Sequence, residues 1–416
     1  MMSPDHDYKP RLRNVEPIPV LVQGKEAIGL KDPFQLIDGI LCVPKEALPV
    51  LALLDGRHSL HDIQAELTRR TGQLVFSDQV RGIMDMLDKA CLLYGERFQG
   101  ALEKKLAEYR AMPYRPASHA GRSYSGDPAA LGAELTAFFT GVEGPGIPEF
   151  FSDTRRPVGL IAPHIDVRSG GSCFAQAYHA LGSGQPSDVY VIFGTGHAGV
   201  ENVFTATNLD FQTPLGRVQA DRDFLDALAR EYGADPAPEE LLHANEHVIE
   251  FQLIFLQYLF SGRHHFTVVP ILSALSHHFF QDDHGFEEQR QIFDRFCSAV
   301  SAVCRQSSRS VCFIASADLD HIGPRYGDAF VPHKGTVAEA LEKDRVLLAS
   351  LERVDTGGFI QGVARDDDVR RICGFSPITA MLHCMNASEG HLLGLDYARV
   401  DDRNSFVSFC SMIFYE

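Results

Sequence analysis

The stretch Val158–Ser172, VGLIAPHIDVRSGGS, sets the reading of everything around it. Its apolar run, Val158–Ala162, stops at Pro163-His164 and turns glycine-rich. A short apolar run bounded by turn residues reads as a buried strand, and this one delivers a histidine to its end. That histidine is either a surface residue at a strand terminus or a metal ligand at the mouth of an α/β sheet. Two more segments repeat the pattern. VYVIFGTGH ends in a glycine turn and His197, and VCFIASADLDH ends in Asp318 and His321. Ligands of open α/β sheets collect beyond the carboxyl ends of the strands. Three adjacent strands of this kind would gather two histidines and an Asp/His pair, which favours a shared metal site over three unrelated surface residues.

Outward from these segments, short apolar runs alternate with helical patterns. Strands are expected at Val158–Ala162, Val189–Phe193, Thr267–Ile271 and Val311–Ala315, with two antiparallel strands in HLLGLDYARV and SFVSFCSMIFYE. Helices are expected at Pro128–Phe139, Asp221–Tyr232, Glu246–Phe260, Glu287–Cys304 and Val337–Leu351. The alternation predicts an α/β fold with a mixed central sheet flanked by helices over residues 116–416. The helix from Glu246 is apolar nearly all round, so it belongs in the core.

Residues 1–98 form a different pattern. FQLIDGILCVP reads as two short strands around Asp38-Gly39, and KEALPVLALLDG as a short helix. In SLHDIQAELTRRTG, Ser59 reads as an N-cap with Asp62 three residues on, and Gly72 as a stop. SDQVRGIMDMLDKACLLYG puts Val80, Ile83, Met84 and Leu87 on one helical face. This predicts a small winged-helix-like α+β domain, joined to the larger one by a charged helical linker over 99–115.

Composition narrows the function classes. The 416 residues carry a formal net charge of −17, which opposes nonspecific binding to nucleic acid or anionic lipid. No apolar stretch reaches a membrane span and the N-terminus has no apolar signal region. The nine cysteines are scattered without a CxxC, the usage expected of a reduced, cytoplasmic protein.

Two local motifs carry further chemistry. His243, Glu246 and His247 in LLHANEHVIEFQ fit H-x-x-E-H, the inverted zinc-peptidase pattern, in which both histidines face one metal from a helix. The plainer reading is a helix N-terminus whose polar residues line a pocket. Cys373 in RRICGFSPITAML precedes a glycine and a helix starting near Pro377. A thiol there is either a buried packing residue or a ligand or nucleophile of depressed pKa.

Taken in order, ASHAGRSYSGDPAAL, IAPHIDVRSGGSCFAQAYHAL, FGTGH, NEHVIEFQLIFLQ, ASADLDHIG and ICGFSPI resemble the Memo family, whose bacterial members include the AmmeMemoRadiSam system protein B group. The resemblance spans 116–416. It implies the fold of class III extradiol dioxygenases and a metal held by His164, His197 and Cys373. Asp318, His321, Glu246 and His247 would line the same pocket, with His321 or His247 moving protons. A two-histidine, one-thiolate set suits iron or copper, and zinc as well. The resemblance implies an oxygen-using oxidoreductase; the alternative is a non-enzymatic metal-containing module that binds a peptide or protein. It also implies partnership with radical-SAM and AMMECR-type proteins. The chain departs from the eukaryotic pattern at Ile165, Asp166 and Val167, where a carboxylate on the pocket wall is expected, and at Gln252, where some members have histidine.

ALPVLALLDGRHSLHDIQAEL followed by DMLDKACLLYGE resembles PqqD-like domains, which implies a peptide ligand for the first domain, bound by strand addition.

Overall fold

The computed structural model describes residues 8–37, 39–281 and 285–416. Its contacts divide into two compact units, with the boundary between Met112 and Pro113.

The first unit contains strands β1 (Glu16–Val22), β2 (Lys25–Lys31) and β3 (Leu41–Pro44), then helices α1 (Leu48–Leu51), α2 (Leu60–Thr71), α3 (Ser77–Lys89) and α4 (Glu96–Arg110). The strands form one antiparallel sheet in the order β1-β2-β3. Two of these strands differ from expectation. The segment before Asp38 is no strand, because Asp32 captures the backbone N–H groups of Phe34 (3.1 Å) and Leu36 (2.8 Å) in a local turn. Asp38 itself lies outside the described residues. The other two strands of the sheet form the β1–β2 hairpin, which turns at Gln23 and Gly24 with φ of 52° and 76°. Pro17 and Pro19 make β1 a poor strand by composition, and the fold places it at the sheet edge, where missing donors cost least. The Ser59/Asp62 capping box and the left-handed Gly72 stop both form around α2. Val80, Met84 and Leu87 on α3 pack with Ile63 and Leu67 on α2 into the core of this unit.

The second unit contains α5 (Pro128–Thr140), β4 (Gly159–Ala162), α6 (Val167–Ser183), β5 (Val189–Thr195), β6 (Phe204–Ala206), β7 (Phe211–Thr213), β8 (Gly216–Val218) and α7 (Arg222–Tyr232). After these come α8 (Val248–Phe260), β9 (Thr267–Ser273), α9 (Glu287–Gln306), β10 (Val311–Ser316) and β11 (Asp318–Ile322). The chain closes with α10 (Lys334–Glu352), α11 (Thr356–Ala364), α12 (Phe375–Cys384), β12 (Glu389–Arg399) and β13 (Phe406–Tyr415).

Among the described residues the main sheet has eight strands in the order β11-β13-β4-β10-β5-β9-β6, with β12 also on β13. The central four, β4-β10-β5-β9, are parallel; β6, β11, β12 and β13 run antiparallel to their neighbours. This is the mixed sheet flanked by helices that the sequence pattern predicts. The step that matters for the site is β4 to β5: the chain leaves a gap of one strand, and β10 fills it.

Helix α8 begins at Val248, two residues later than its apolar pattern suggests, and nearly every residue in it is buried. Phe255 stacks between Phe174 (4.8 Å) and Tyr178 (5.0 Å) of α6. Gly194 on β5 permits the close approach of α8, since a Cβ there would collide with Val248. No helix among the described residues is long and apolar enough to cross a membrane.

Candidate metal centre

His164 leaves the end of β4 and His197 leaves the end of β5, so the two flank the end of β10. Their rings lie 5.1 Å apart. His164 is buried and held from three sides. Its backbone N–H donates to Asp318 Oδ1 at 2.9 Å, its Nδ1 lies 2.9 Å from the Ser316 carbonyl, and its Nε2 lies 3.1 Å from Cys373 Sγ. A carbonyl can only accept, so Nδ1 carries the proton and Nε2 presents a lone pair toward the thiol. Burial, followed by the charges of His197 and His247, holds the His164 pKa well below the ordinary value. A neutral imidazole is the form that binds metals.

Cys373 arrives from the loop before α12. Its carbonyl accepts from Thr195 Oγ1 at 2.8 Å, and the next N–H, of Gly374, donates to the Asp318 carbonyl at 2.8 Å. Gly374 has to be small, because a Cβ would run into the Asp318 carbonyl and come within 2.8 Å of Ala317. The Cys373 thiol does not have the depressed pKa considered for it: burial pushes it up, outweighing the help of His197. Donor atoms of His164, His197 and Cys373 lie within 4.8 Å of one another. Two imidazoles and one sulfur so placed form a candidate donor set for one cation.

His197 is more open, with 41% of its side chain exposed. Glu246 grips it twice, accepting from its backbone N–H at 3.1 Å and lying 3.2 Å from Nδ1. Burial works against protonation of this ring, but Glu246 and Cys373 outweigh it and hold its pKa well above the ordinary value. Glu246 also accepts the His247 backbone N–H at 2.8 Å and lies 2.9 Å from His247 Nδ1. Burial alone would raise the Glu246 pKa; the two histidines reverse this and hold it well below the carboxylate range. The His247 ring stacks on His197 at 5.1 Å and 13°. His197, Glu246 and His247 thus make a second overlapping donor group.

Asp318 is buried against His164, with Oδ2 3.7 Å from Nε2. Burial pushes its carboxyl up to about 6. His321, on β11, turns Nδ1 to the Leu319 carbonyl at 2.9 Å and packs edge-on against Tyr326. Burial lowers it to about 4.

The H-x-x-E-H motif does not form a helical metal site. His243 sits in a separate short turn, Glu240–Ala244, and its Nε2 lies on the Thr205 carbonyl at 2.9 Å. Glu246 and His247 precede α8 instead of lying on it. Asp166 is exposed and caps α6 by accepting the Arg168 N–H at 3.0 Å. Gln252 braces the strand ends, donating to the Pro163 carbonyl and to Ser316 Oγ, both at 2.8 Å.

Two contributors escaped the sequence reading. His119 packs against His247 with ring centroids 5.5 Å apart, which brings a fourth imidazole to the cluster. Arg115, fully buried, donates to the carbonyls of His243 (2.7 Å) and Glu246 (2.6 Å) and pairs with Glu250. Glu250 in turn accepts the backbone N–H groups of Ser118 and His119, each at 3.0 Å, and the Tyr124 hydroxyl. Only the S-H-A-G-x-x-Y stretch itself pointed to this network.

Residues 115–413, the span that holds every one of these groups, match the family of Memo-like proteins. A MEMO1 family protein of Aquifex aeolicus is 28% identical over 412 residues, 98% of this chain and 100% of that protein. One from Methanopyrus kandleri is 32% identical over 66% of this chain and 88% of its own length. One from Methanothermobacter thermautotrophicus is 30% identical over 72% of this chain and 99% of its own length. With this match running from buried Arg115 through the strand-end histidines and Cys373 to the last strand, the chain belongs to the Memo-like (MEMO1) family.

Proposed function

We propose that the chain is a metal-dependent redox enzyme that uses oxygen, with His164, His197 and Cys373 as ligands of one iron or copper ion. The observation that carries this is the convergence of three donor atoms within 4.8 Å, with a neutral imidazole facing a thiol. Bound iron or copper would supply one-electron chemistry with dioxygen. The protein's own groups divide the remaining work. Ser316 and Glu246 fix the tautomers and directions of His164 and His197. Asp318, whose carboxyl burial pushes up to about 6, is one proton carrier of this reading. His247, whose Nδ1 rests on Glu246, and His321 are the other proton carriers of this reading.

In the same reading the protein is cytoplasmic, the first unit is PqqD-like and presents a peptide, and radical-SAM and AMMECR-type proteins are its partners. Deleting residues 1–112 should then abolish peptide capture while leaving metal content unchanged; capture by the shortened chain would count against that role.

The test of the centre is metal analysis of untagged protein, then oxygen uptake after anaerobic loading with iron(II) or copper(I) and addition of a mild reductant. Close to one equivalent of iron or copper, with uptake lost in His164→Ala, is the expected result. Uptake equal in the variant, or a bound metal with no uptake, would sink the oxidase reading and favour a binding module. Glu246→Gln is expected to weaken metal affinity about 10- to 100-fold by freeing His197. Competition with a chelator measures this, and an unchanged affinity would refute it.

A further inference from the structure

Beyond β9 the chain makes a short turn, His277–Phe280, that sets two neighbouring histidines side by side, with ring centroids 4.0 Å apart. Both aim at a single oxygen. Asp367 Oδ1 lies 3.0 Å from His277 Nε2 and 3.7 Å from His278 Nε2. We propose that His277, His278 and Asp367 form a second divalent-cation site of zinc(II) character, separate from the group around Cys373.

The geometry supports a cation over a plain ion pair. Bonds of about 2.0–2.1 Å in a tetrahedral zinc site put ligand atoms roughly 3.3 Å apart, and the two measured separations bracket that spacing. All three donor atoms lie within 4.8 Å of one another. An ion pair with Asp367 needs only one protonated imidazole. A shared cation would engage the Nε2 atoms of both rings at once, together with the Asp367 oxygen. The ring of His278 is already oriented for this role, since its Nδ1 lies 3.2 Å from Gln281 Oε1, which frees Nε2. The His277 side chain is only 5% exposed, while Asp367 is 78% exposed, so the fourth position is open to water. Two imidazoles, one carboxylate and a water make a donor set that zinc takes readily.

The site would act as a clamp on the centre described above. Asp367 belongs to the loop that ends in Cys373, and that loop holds three non-glycine residues at positive φ: Asp367 (56°), Asp368 (48°) and Arg371 (57°). Such residues persist only where surrounding contacts hold them. Asp368 accepts the Ile372 N–H at 2.8 Å, and Arg371 donates to the His321 carbonyl at 2.9 Å. On the other side, the segment leading to His277 is bonded to the start of α12: Leu275 N–H donates to Ser376 Oγ at 3.0 Å, and Ser376 Oγ donates to Ser273 Oγ at 2.8 Å. A cation on Asp367 would tie this turn to the Cys373 loop.

Cobalt(II) and zinc(II) titrations of the untagged full chain test the assignment. Cys373→Ser is expected to keep one tightly held equivalent, whose cobalt spectrum shows d–d bands and no thiolate-to-cobalt charge transfer. Adding His278→Ala and Asp367→Asn to it should remove that equivalent, with at least a tenfold loss of affinity. The same pair of changes in an otherwise unaltered chain should leave the thiolate–cobalt band in place, which shows that the fold and the first centre survive. Equal binding by Cys373→Ser with and without the two further changes would overturn the second site. Absence of a thiolate band in the unaltered chain would instead refute the first centre and leave the second standing.

Discussion

Arg115→Ala is expected to lower the unfolding free energy by about 3–5 kcal/mol, the range for removing one partner of a buried ion pair. Arg115 and Glu250 are both fully buried, so the variant leaves a carboxylate in the core without its cation. The loss extends beyond the pair. The guanidinium also donates to the His243 and Glu246 carbonyls and to Ser118 Oγ (2.8 Å), and so holds the segment that carries Glu246 and His247. Arg115→Lys should not rescue stability, because an ammonium cannot span these planar, forked contacts. Urea unfolding measures both effects. A loss below about 1 kcal/mol would mean that Glu250 is satisfied by Ser118, His119 and Tyr124 alone.

Arg370→Ala should cost a similar amount, about 3–5 kcal/mol, and it comes with a pH signature. Arg370 Nη1 lies 2.8 Å from Asp320 and 3.0 Å from Asp344, so one guanidinium serves two buried carboxyl groups. Burial, and then the charge of Asp344, pushes Asp320 up to about 9. The folded protein therefore keeps a proton that the unfolded chain releases above the ordinary carboxylate range. Stability from this group is full below that range and falls as pH rises toward 9, by at most about 1.4 kcal/mol per pH unit. Asp320→Asn removes the titration. Its stability relative to the unaltered chain should climb from pH 5 to pH 9, read as the difference between two series of melting curves. Parallel series would show that Asp320 is ionised in the fold.

The elements that could be read from the chain are those whose signal is local. The Ser59/Asp62 capping box and the Gly72 stop form because their partners lie within a turn or two of α2. The strand-end histidines were legible because an apolar run, a break and a histidine are contiguous in each of the three segments. The β1–β2 hairpin was not legible, since Pro17 and Pro19 obscure a strand that only an edge position tolerates. The local pattern at Phe34–Ile37 misled, because Asp32 competes for its backbone N–H groups.

Cys373 marks the limit more sharply. Its position ahead of a helix left a buried packing residue and an activated thiol both open; burial among neighbours from β5 and β11 raises its pKa. The H-x-x-E-H spacing left a helical metal face and a polar helix N-terminus both open; α8 begins after the motif, and His243 turns to the Thr205 carbonyl.

Periodicity, turn residues and charge thus determined by themselves that the larger part of the chain is a mixed α/β sheet presenting histidines at its strand ends. Which donors meet was decided only by the tertiary structure. Inserting β10 between β4 and β5 sets the gap that His164 and His197 span, and the loop strapped to β5 and β11 brings in Cys373. The physical reason is range: a strand or a cap is encoded by neighbours a few residues away, whereas His164 and Cys373 meet across 209 positions of chain, through packing that no local pattern records.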